Sequence, residues 1–167
     1  MNIFMPEITI EDSVKALDDK RLIKQILECY EVIMFNDRIL AGEENVGYRN
    51  HPLMKYYRDK KSWLIEYGYE CCKEYLWRFN RMHKYYDYFV GKFAQFKKQN
   101  TINDFYKICY IDKKTIYHAA YFWEYLRIPT VVHEAFREKL IDKWYKDKKD
   151  PKWTRRVPPD WALNGRG

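Results

Sequence analysis

Apolar residues recur at intervals of three and four along the N-terminal part of the chain. They form a stripe after Thr9 that consists of Leu17, Ile23, Ile26, Leu27, Tyr30, Ile33 and Met34. This spacing is typical of an amphipathic α-helix. Thr9 can cap its start, Glu11 and Asp12 suit its first turn, and Ala41-Gly42 can end it. The pattern predicts one long first helix.

Two further helices are predicted downstream. Asn50 can cap a second helix with Pro52 in its first turn. The apolar positions of that helix are Met54, Tyr57, Trp63, Leu64, Tyr67, Cys71, Tyr75 and Leu76. Pro129 marks a break, and Thr130 can cap a last helix from Val131 to about Lys146.

The remaining segments carry weaker signals. Residues 3–5 suggest a short extended segment closed by Pro6, and the aromatic clusters at 85–89 and 117–123 indicate helix or partly buried aromatic surface. The tail from Asp150 is rich in Pro, Trp and Arg and is expected to be irregular. We find no repeat or linker. We therefore predict a mainly α protein with a single compact helical domain over residues 1–167.

Composition points to a polyanionic partner. The chain has a net charge of +7, and aromatic residues make up 19% of it. Aromatic rings interleaved with Lys and Arg suit a surface that stacks on bases and holds phosphates. A Lys-rich composition alone can give a similar net charge without any nucleic acid.

Several classes of protein are disfavoured. The four cysteines show no CxxC spacing, so neither a zinc site nor a disulfide framework is expected. The N-terminus lacks the basic and apolar regions of a signal peptide. No apolar run approaches the roughly 20 residues that cross a bilayer. These features predict a cytoplasmic protein with no membrane contact.

The polar face between Lys20 and Glu28 is the first candidate site. On a helix, Arg21, Gln25 and Glu28 fall at i, i+4 and i+7, with Lys24 beside them. A single carboxylate among phosphate-binding cations suits a nucleic-acid enzyme. Alternatively, Lys24 and Glu28 form an ordinary i,i+4 ion pair on a solvated face.

Two histidines mark further candidates. Residues 47–52 present Arg49 and His51 at a helix start, where free N–H groups favour an anion; alternatively, His51 only helps to cap the helix. His133 and Arg137 lie one turn apart on the last helix. A lone histidine is more often structural than catalytic, so this pair carries little weight by itself.

The tail is the last candidate. Arg155, Arg156 and Trp161 can stack on bases or wedge between them. Alternatively, the tail is a strap whose Trp residues pack onto the core. The chain has no Walker A, dinucleotide-binding, HExxH or nucleophile-elbow motif, and no trustworthy metal-ligand spacing. We therefore expect metal-free chemistry by a carboxylate, an amine or a histidine, without a cofactor.

Three blocks of sequence resemble a known family. The first is Phe4…Pro6…Leu17-Asp18-Asp19-Lys20-Arg21-Leu22-x-Lys24-Gln25-x-x-Glu28. The second is Gly47 to Pro52, and the third consists of His133, Arg137, Leu140 and Lys143. In this order they resemble the pyrimidine dimer DNA glycosylases, a family named from phage endonuclease V, and most of all its bacterial and phage members.

The resemblance implies a compact helical fold and a DNA glycosylase with abasic-site lyase activity. Glu28 corresponds to the family's catalytic glutamate. The family's nucleophile is the chain's own α-amine, here that of Met1, and Lys20 or Lys24 is an alternative amine. His133 is a further catalytic candidate.

The remaining candidates are assigned to the substrate. Arg21, Lys24 and Gln25 would orient phosphates or the base, with Arg49, His51, Arg137, Arg155, Arg156 and Trp161 around them. The expected partner is double-stranded DNA, bound by a monomer, in the host cytoplasm if the chain is phage-encoded.

The working hypothesis is a metal-independent glycosylase/lyase that acts on damaged or modified pyrimidines. Three alternatives remain open. A relative with altered chemistry could bind nucleic acid without cleaving it. Another enzyme on the same scaffold could act on modified bases or nucleotides. A protein-interaction factor could use the aromatic surface to bind a partner chain.

Overall fold

The computed structural model describes residues 2–96 and 129–164, and helices dominate both ranges. The helices are α1 (Ile10–Ala16), α2 (Asp19–Leu40), α3 (Pro52–Tyr56), α4 (Lys61–Phe79), α5 (Tyr86–Phe96), α6 (Pro129–Lys146) and α7 (Asp160–Asn164). The described residues contain no strand. The mainly α class is therefore confirmed, whereas the single domain over residues 1–167 stays a prediction.

The predicted first helix is two helices. Thr9 caps α1 by accepting the Asp12 N–H, as predicted, and α2 ends before Gly42, whose φ of +90° suits glycine. The prediction of one continuous helix is wrong, because the backbone is extended at Leu17 and Asp18. Leu17 turns into the core there and is fully buried.

The predicted second helix is also divided, into α3 and α4. Pro52 occupies the first turn of α3 as predicted, but the cap is His51 and not Asn50. The Nδ1 atom of His51 accepts the Leu53 N–H at 3.2 Å. Residues 57–60 form a turn before α4 begins at Lys61.

The other segments match the predictions in part. Helix α6 begins at Pro129, so Thr130 lies inside it and does not cap it. Most of residues 85–89 belong to α5, whereas the 117–123 cluster lies outside the described residues. The tail is irregular, as predicted, apart from the short α7. Residues 3–5 are buried and adopt no regular secondary structure.

The helices pack around α2 and α4. These two helices lie against each other, and α1 and α5 both pack on α4. Buried residues of α2, α4 and the N-terminal segment form one apolar cluster with the buried face of α6. None of the described helices is both long enough and apolar enough to cross a bilayer.

The packing of α5 on α4 depends on Gly68. A Cβ at this position would lie 2.1 Å from Cε1 of Phe89, whose side chain is fully buried. We expect Gly68→Ala to lower the free energy of unfolding by about 1–3 kcal/mol, because the ring cannot move without disturbing the core.

Urea denaturation measures this loss, and Gly91→Ala is the matched control. A Cβ at Gly91 meets no described atom within 4 Å. The control should be as stable as the parent chain or gain up to about 1 kcal/mol, because alanine favours the helix. Equal stability of Gly68→Ala and the parent chain would contradict the close packing.

Candidate functional site

The N-terminal segment, residues 2–7, runs along α2 in the direction from Glu28 towards Gln25. The Asn2 N–H donates to Oε2 of Glu28 at 3.0 Å. Two residues further on, the Phe4 N–H donates to Oε1 of Gln25 at 2.9 Å. The Gln25 amide returns a bond from Nε2 to the Asn2 carbonyl at 2.6 Å. One side chain of α2 thus pairs with the backbone on both sides of Ile3.

Helices α4 and α6 hold the same segment from other directions. The Tyr67 hydroxyl donates to the Phe4 carbonyl at 2.5 Å. His133 Nδ1 lies 2.7 Å from the Met5 carbonyl. Burial lowers the pKa of His133, so the ring is neutral near pH 7. A neutral ring bonds a carbonyl only by donating, which places its proton on Nδ1.

Arg137 holds the end of the segment, one turn after His133. Its Nε donates to the Pro6 carbonyl, and its guanidinium binds the Glu7 carboxylate, both at 2.7 Å. The other oxygen of Glu7 accepts the Trp161 indole N–H at 2.7 Å. His133 and Arg137 therefore lie at one site, as their spacing suggested, and both contact protein backbone.

Glu28 is the carboxylate at the start of this segment, and only 5% of it is exposed. Its Oε2 accepts from Asn2 and from Gln25 Nε2, each at 3.0 Å. Lys24 Nζ lies 3.6 Å from the other oxygen, and the Lys24 side chain is 61% exposed. The predicted Lys24–Glu28 pair is therefore present, and it links the buried Glu28 carboxylate to a lysine side chain that is mostly exposed to solvent.

Two lysines of α6, Lys139 and Lys143, add further positive charge near Lys24. Burial, followed by the charges of Lys24 and Arg21, lowers the pKa of Lys143, and Glu28 opposes that shift. Burial and the charge of Lys143 lower the pKa of Lys139 to about 8. Lys139 and Lys143 lie one turn apart on α6, and the charges of Lys24 and Arg21 on α2 act on Lys143. Amines on two facing helices suit an anion bound between them. Lys139 was not among the residues predicted from the sequence.

Arg21 joins α2 to the end of α6. Its guanidinium contacts Asp147 and also lies 3.4 Å from Asp18, which follows α1. Arg21 and then Lys20 hold the pKa of Asp147 at about 2. Only 8% of the Arg21 side chain is exposed, so its charge reaches solvent much less than that of Lys24.

The loop before α3 uses both of its candidate side chains internally. Arg49 donates to the carbonyl groups of Glu43 and Glu44 at 3.1 and 3.0 Å. His51 caps α3, which was one of its two predicted roles.

The tail packs onto the helices as a strap. Arg156 binds both oxygens of Glu74 at 2.8 Å and lies 3.9 Å from the centre of the Trp77 ring. Arg155 donates to the Trp77 carbonyl. The indole of Trp161 stacks on Trp144 with ring centres 5.6 Å apart. These contacts favour the structural alternative for the tail over a base-stacking role.

The described residues contain no cluster of three or more His, Cys, Asp or Glu side chains placed to hold a metal ion. Three described cysteines, Cys29, Cys71 and Cys72, are buried free thiols, and burial raises the pKa of each. Cys109 and Met1 lie outside the described residues.

Comparison with known proteins identifies a family for the part of the chain that contributes the α2 residues of the site. The family model described as pyrimidine dimer DNA glycosylase matches residues 1–87 of the 167. No curated protein and no solved structure matches the chain. The matched range includes Glu28, Gln25 and Lys24, whereas His133 and the lysines of α6 lie beyond it.

Proposed function

The chain belongs to the pyrimidine dimer DNA glycosylase family, and on this premise we propose that it cleaves damaged or modified pyrimidines from double-stranded DNA. We further propose that it then opens the abasic site as a lyase, acts as a monomer and needs no metal. One observation carries the proposal: the buried Glu28 carboxylate is hydrogen-bonded to the first described backbone N–H of the chain.

This contact supports an N-terminal amine as the nucleophile. The α-amine of Met1 is joined through one Cα and one carbonyl carbon to the Asn2 nitrogen, which lies 3.0 Å from Glu28 Oε2. An α-amine has a reference pKa near 8, so a useful fraction is neutral at pH 7. Lys24 is the alternative amine, since its Nζ lies 3.6 Å from Glu28. Lys20 is less well supported, because it pairs with Asp147.

The proposed reaction needs only an amine and a carboxylate. The amine attacks C1′ of the sugar while the bond from C1′ to the base breaks, and the electron pair leaves with the base, which takes up a proton from solvent water. Glu28 stabilises the positive charge that develops at C1′ and accepts the proton lost by the amine. It returns a proton to O4′ as the sugar ring opens, which leaves a Schiff base between C1′ and the amine.

The same carboxylate serves the lyase step. Removal of a proton from C2′ of the Schiff base allows the C3′–O bond to break, and the 3′ phosphate leaves with the electron pair. Water then hydrolyses the imine and restores the amine. Glu28 is the proposed base for C2′, because its Oε2 atom lies 3.0 Å from the Asn2 nitrogen, one residue after the amine that would hold C1′.

The backbone contacts of the N-terminal segment support precise positioning of that amine. Side chains from three helices, Gln25, Tyr67, His133 and Arg137, each bind a carbonyl or N–H of residues 2–6. A displacement of about 1 Å at a reacting group can reduce a rate about 100-fold. In this proposal these four side chains act on the chain's own N-terminus rather than on DNA.

The amines of Lys24, Lys139 and Lys143 supply the DNA contact. The charge of Lys143 is disfavoured by those of Lys24 and Arg21, the charge of Lys139 is disfavoured by that of Lys143, and Lys24 lies 3.6 Å from the buried Glu28 carboxylate. A phosphate of the nucleotide at Glu28 would relieve that repulsion. Contacts of this kind give an affinity that falls steeply with salt concentration.

Strand cleavage of defined duplexes tests this function. The substrates are duplexes with one thymine dimer, one abasic site or no lesion, incubated with the full chain in EDTA. We expect strand cleavage at the dimer and at the abasic site, and none in the undamaged duplex. Salt-dependent binding without cleavage of any damaged or modified duplex would favour the binding-module alternative. Turnover of nucleosides or modified DNA without cleavage at dimers would favour another enzyme class.

A further inference from the structure

Tyr48 combines an exposed aromatic ring with an unusual backbone conformation. Its side chain is among the exposed large hydrophobics at 62%, and its φ of 59° lies in the left-handed region. A bulky residue rarely adopts this φ, which glycine and asparagine tolerate far better. Compared with glycine at the same position, a bulky residue in this conformation lowers the equilibrium constant for folding by about 5- to 30-fold.

The loop imposes this conformation on Tyr48. The Tyr48 carbonyl accepts the His51 N–H at 2.8 Å, which closes a turn. The Arg49 guanidinium binds two carbonyl groups earlier in the loop, and Arg58 binds the Arg49 carbonyl at 3.3 Å. Val46 anchors the loop in the core. Strained residues persist where the surroundings over-determine them, and they concentrate at functional sites.

The Tyr48 ring lies on the same side of α2 as Glu28. Its centre is 6.0 Å from that of Phe35, which follows Glu28 by two helical turns and therefore faces the same way, about 10 Å along the axis. Lys24 lies one turn before Glu28 on that side. This side of α2 thus presents, in order, the Lys24 cation, the buried Glu28 carboxylate and the exposed Tyr48 ring.

We propose that Tyr48 is a base-stacking residue, whose ring packs on an exposed base of DNA lying along this side of α2. The inference rests on the proposed function, because it takes DNA as the ligand at Glu28. An aromatic face stacks on any base, so the contact strengthens binding without selecting sequence. Contacts with the Phe35 and His51 rings leave the Tyr48 residue 62% exposed, so packing within the protein does not account for the ring's position. The chain's net charge of +7 favours a nucleic acid over a protein as the occupant.

Three substitutions test the proposal in the full chain. Tyr48→Gly should weaken binding of an abasic-site duplex by about 5- to 100-fold, since it removes one stacking contact. It should leave stability unchanged or raise it, because glycine tolerates the φ. Tyr48→Phe keeps the ring and should bind as the parent chain does. Met82→Ala, at a residue that is 64% exposed after α4, is the control and should change nothing.

Fluorescence anisotropy measures affinity, urea denaturation measures stability, and a 2-aminopurine base beside the lesion reports stacking. The parent chain and Tyr48→Phe should change its fluorescence, whereas Tyr48→Gly should not. Unchanged affinity, loss of stability or a change in oligomeric mass in Tyr48→Gly would overturn the inference. If the parent chain cleaves DNA and Tyr48→Gly binds as well, only this inference fails. If the parent chain binds no DNA, the proposed function fails with it.

Discussion

Glu28→Gln should slow glycosidic-bond cleavage and Schiff-base formation by about 100- to 10,000-fold, the range that positioned acid–base groups contribute. Glutamine keeps the side chain's length and retains an oxygen that can accept the Asn2 N–H. It cannot take the proton of an attacking amine, and it carries no charge to stabilise the developing cation. The fold should therefore survive while the chemistry is lost.

Single-turnover rates on a dimer-containing duplex measure this effect, with affinity measured in parallel. Glu31→Gln is the matched control, because Glu31 lies one turn further along α2 and is partly exposed. The control should retain the parent rate. A Glu28→Gln rate within about threefold of the parent rate would remove Glu28 from the mechanism.

Arg78→Met should cost about 3–5 kcal/mol of stability, because it breaks a buried ionic network from one side. Arg78 is 1% exposed and donates to the Glu74 carboxylate at 2.8 Å. It also binds the carbonyl groups of Lys15 and Leu17 at 2.9 and 2.8 Å, and Asp19 at 3.1 Å. Methionine fills part of the space but removes the Arg78 donor from the Lys15 and Leu17 carbonyl groups and its positive charge from Glu74 and Asp19.

Urea denaturation measures the loss, and Arg38→Met is its control. The Arg38 side chain is 42% exposed and pairs with Glu43, so its removal should cost at most about 1 kcal/mol. Equal effects of the two substitutions would show that the Arg78 network adds little to stability.

The Arg78 network also predicts acid sensitivity. Burial would raise the pKa of Glu74, but hydrogen bonds from Arg156 and Arg78 outweigh it and hold the pKa below its usual value. A carboxylate with a lowered folded-state pKa stabilises the fold above its unfolded pKa, near 4.3, and that stability is lost as pH falls through the folded value. Arg78→Met should show a smaller loss of stability below about pH 4 than the parent chain.

Local sequence signals predicted the features that depend on neighbouring residues. The Thr9 cap, the end of α2 near Gly42 and Pro52 in the first turn of α3 are confirmed. The break after α1 was not predictable from periodicity. It depends on Arg78 and on Trp144, whose indole N–H donates to Asp18 at 2.8 Å, and both residues are distant in sequence.

In the candidate site, too, contacts between neighbouring residues were predictable and contacts between distant parts of the chain were not. Helical spacing placed Gln25 and Lys24 beside Glu28, and the structure has all three in contact. Spacing alone could not show that Gln25 pairs with the backbone of residues 2–4, because a polar stripe looks the same whether it faces DNA or another part of the chain. Lys139 was overlooked because its lowered pKa arises from burial and a neighbouring charge in the folded chain.

The position of the covalent bond to DNA identifies the nucleophile. An abasic-site duplex is incubated with the full chain, the Schiff base is reduced with borohydride, and the adduct is digested and mapped by mass spectrometry. The same spectra establish whether Met1 is the first residue of the protein used. We expect one adduct, on the α-amine next to Asn2, and we expect it to be nearly absent in Glu28→Gln. An adduct on Lys24 or another lysine, or no adduct at all, would contradict this expectation.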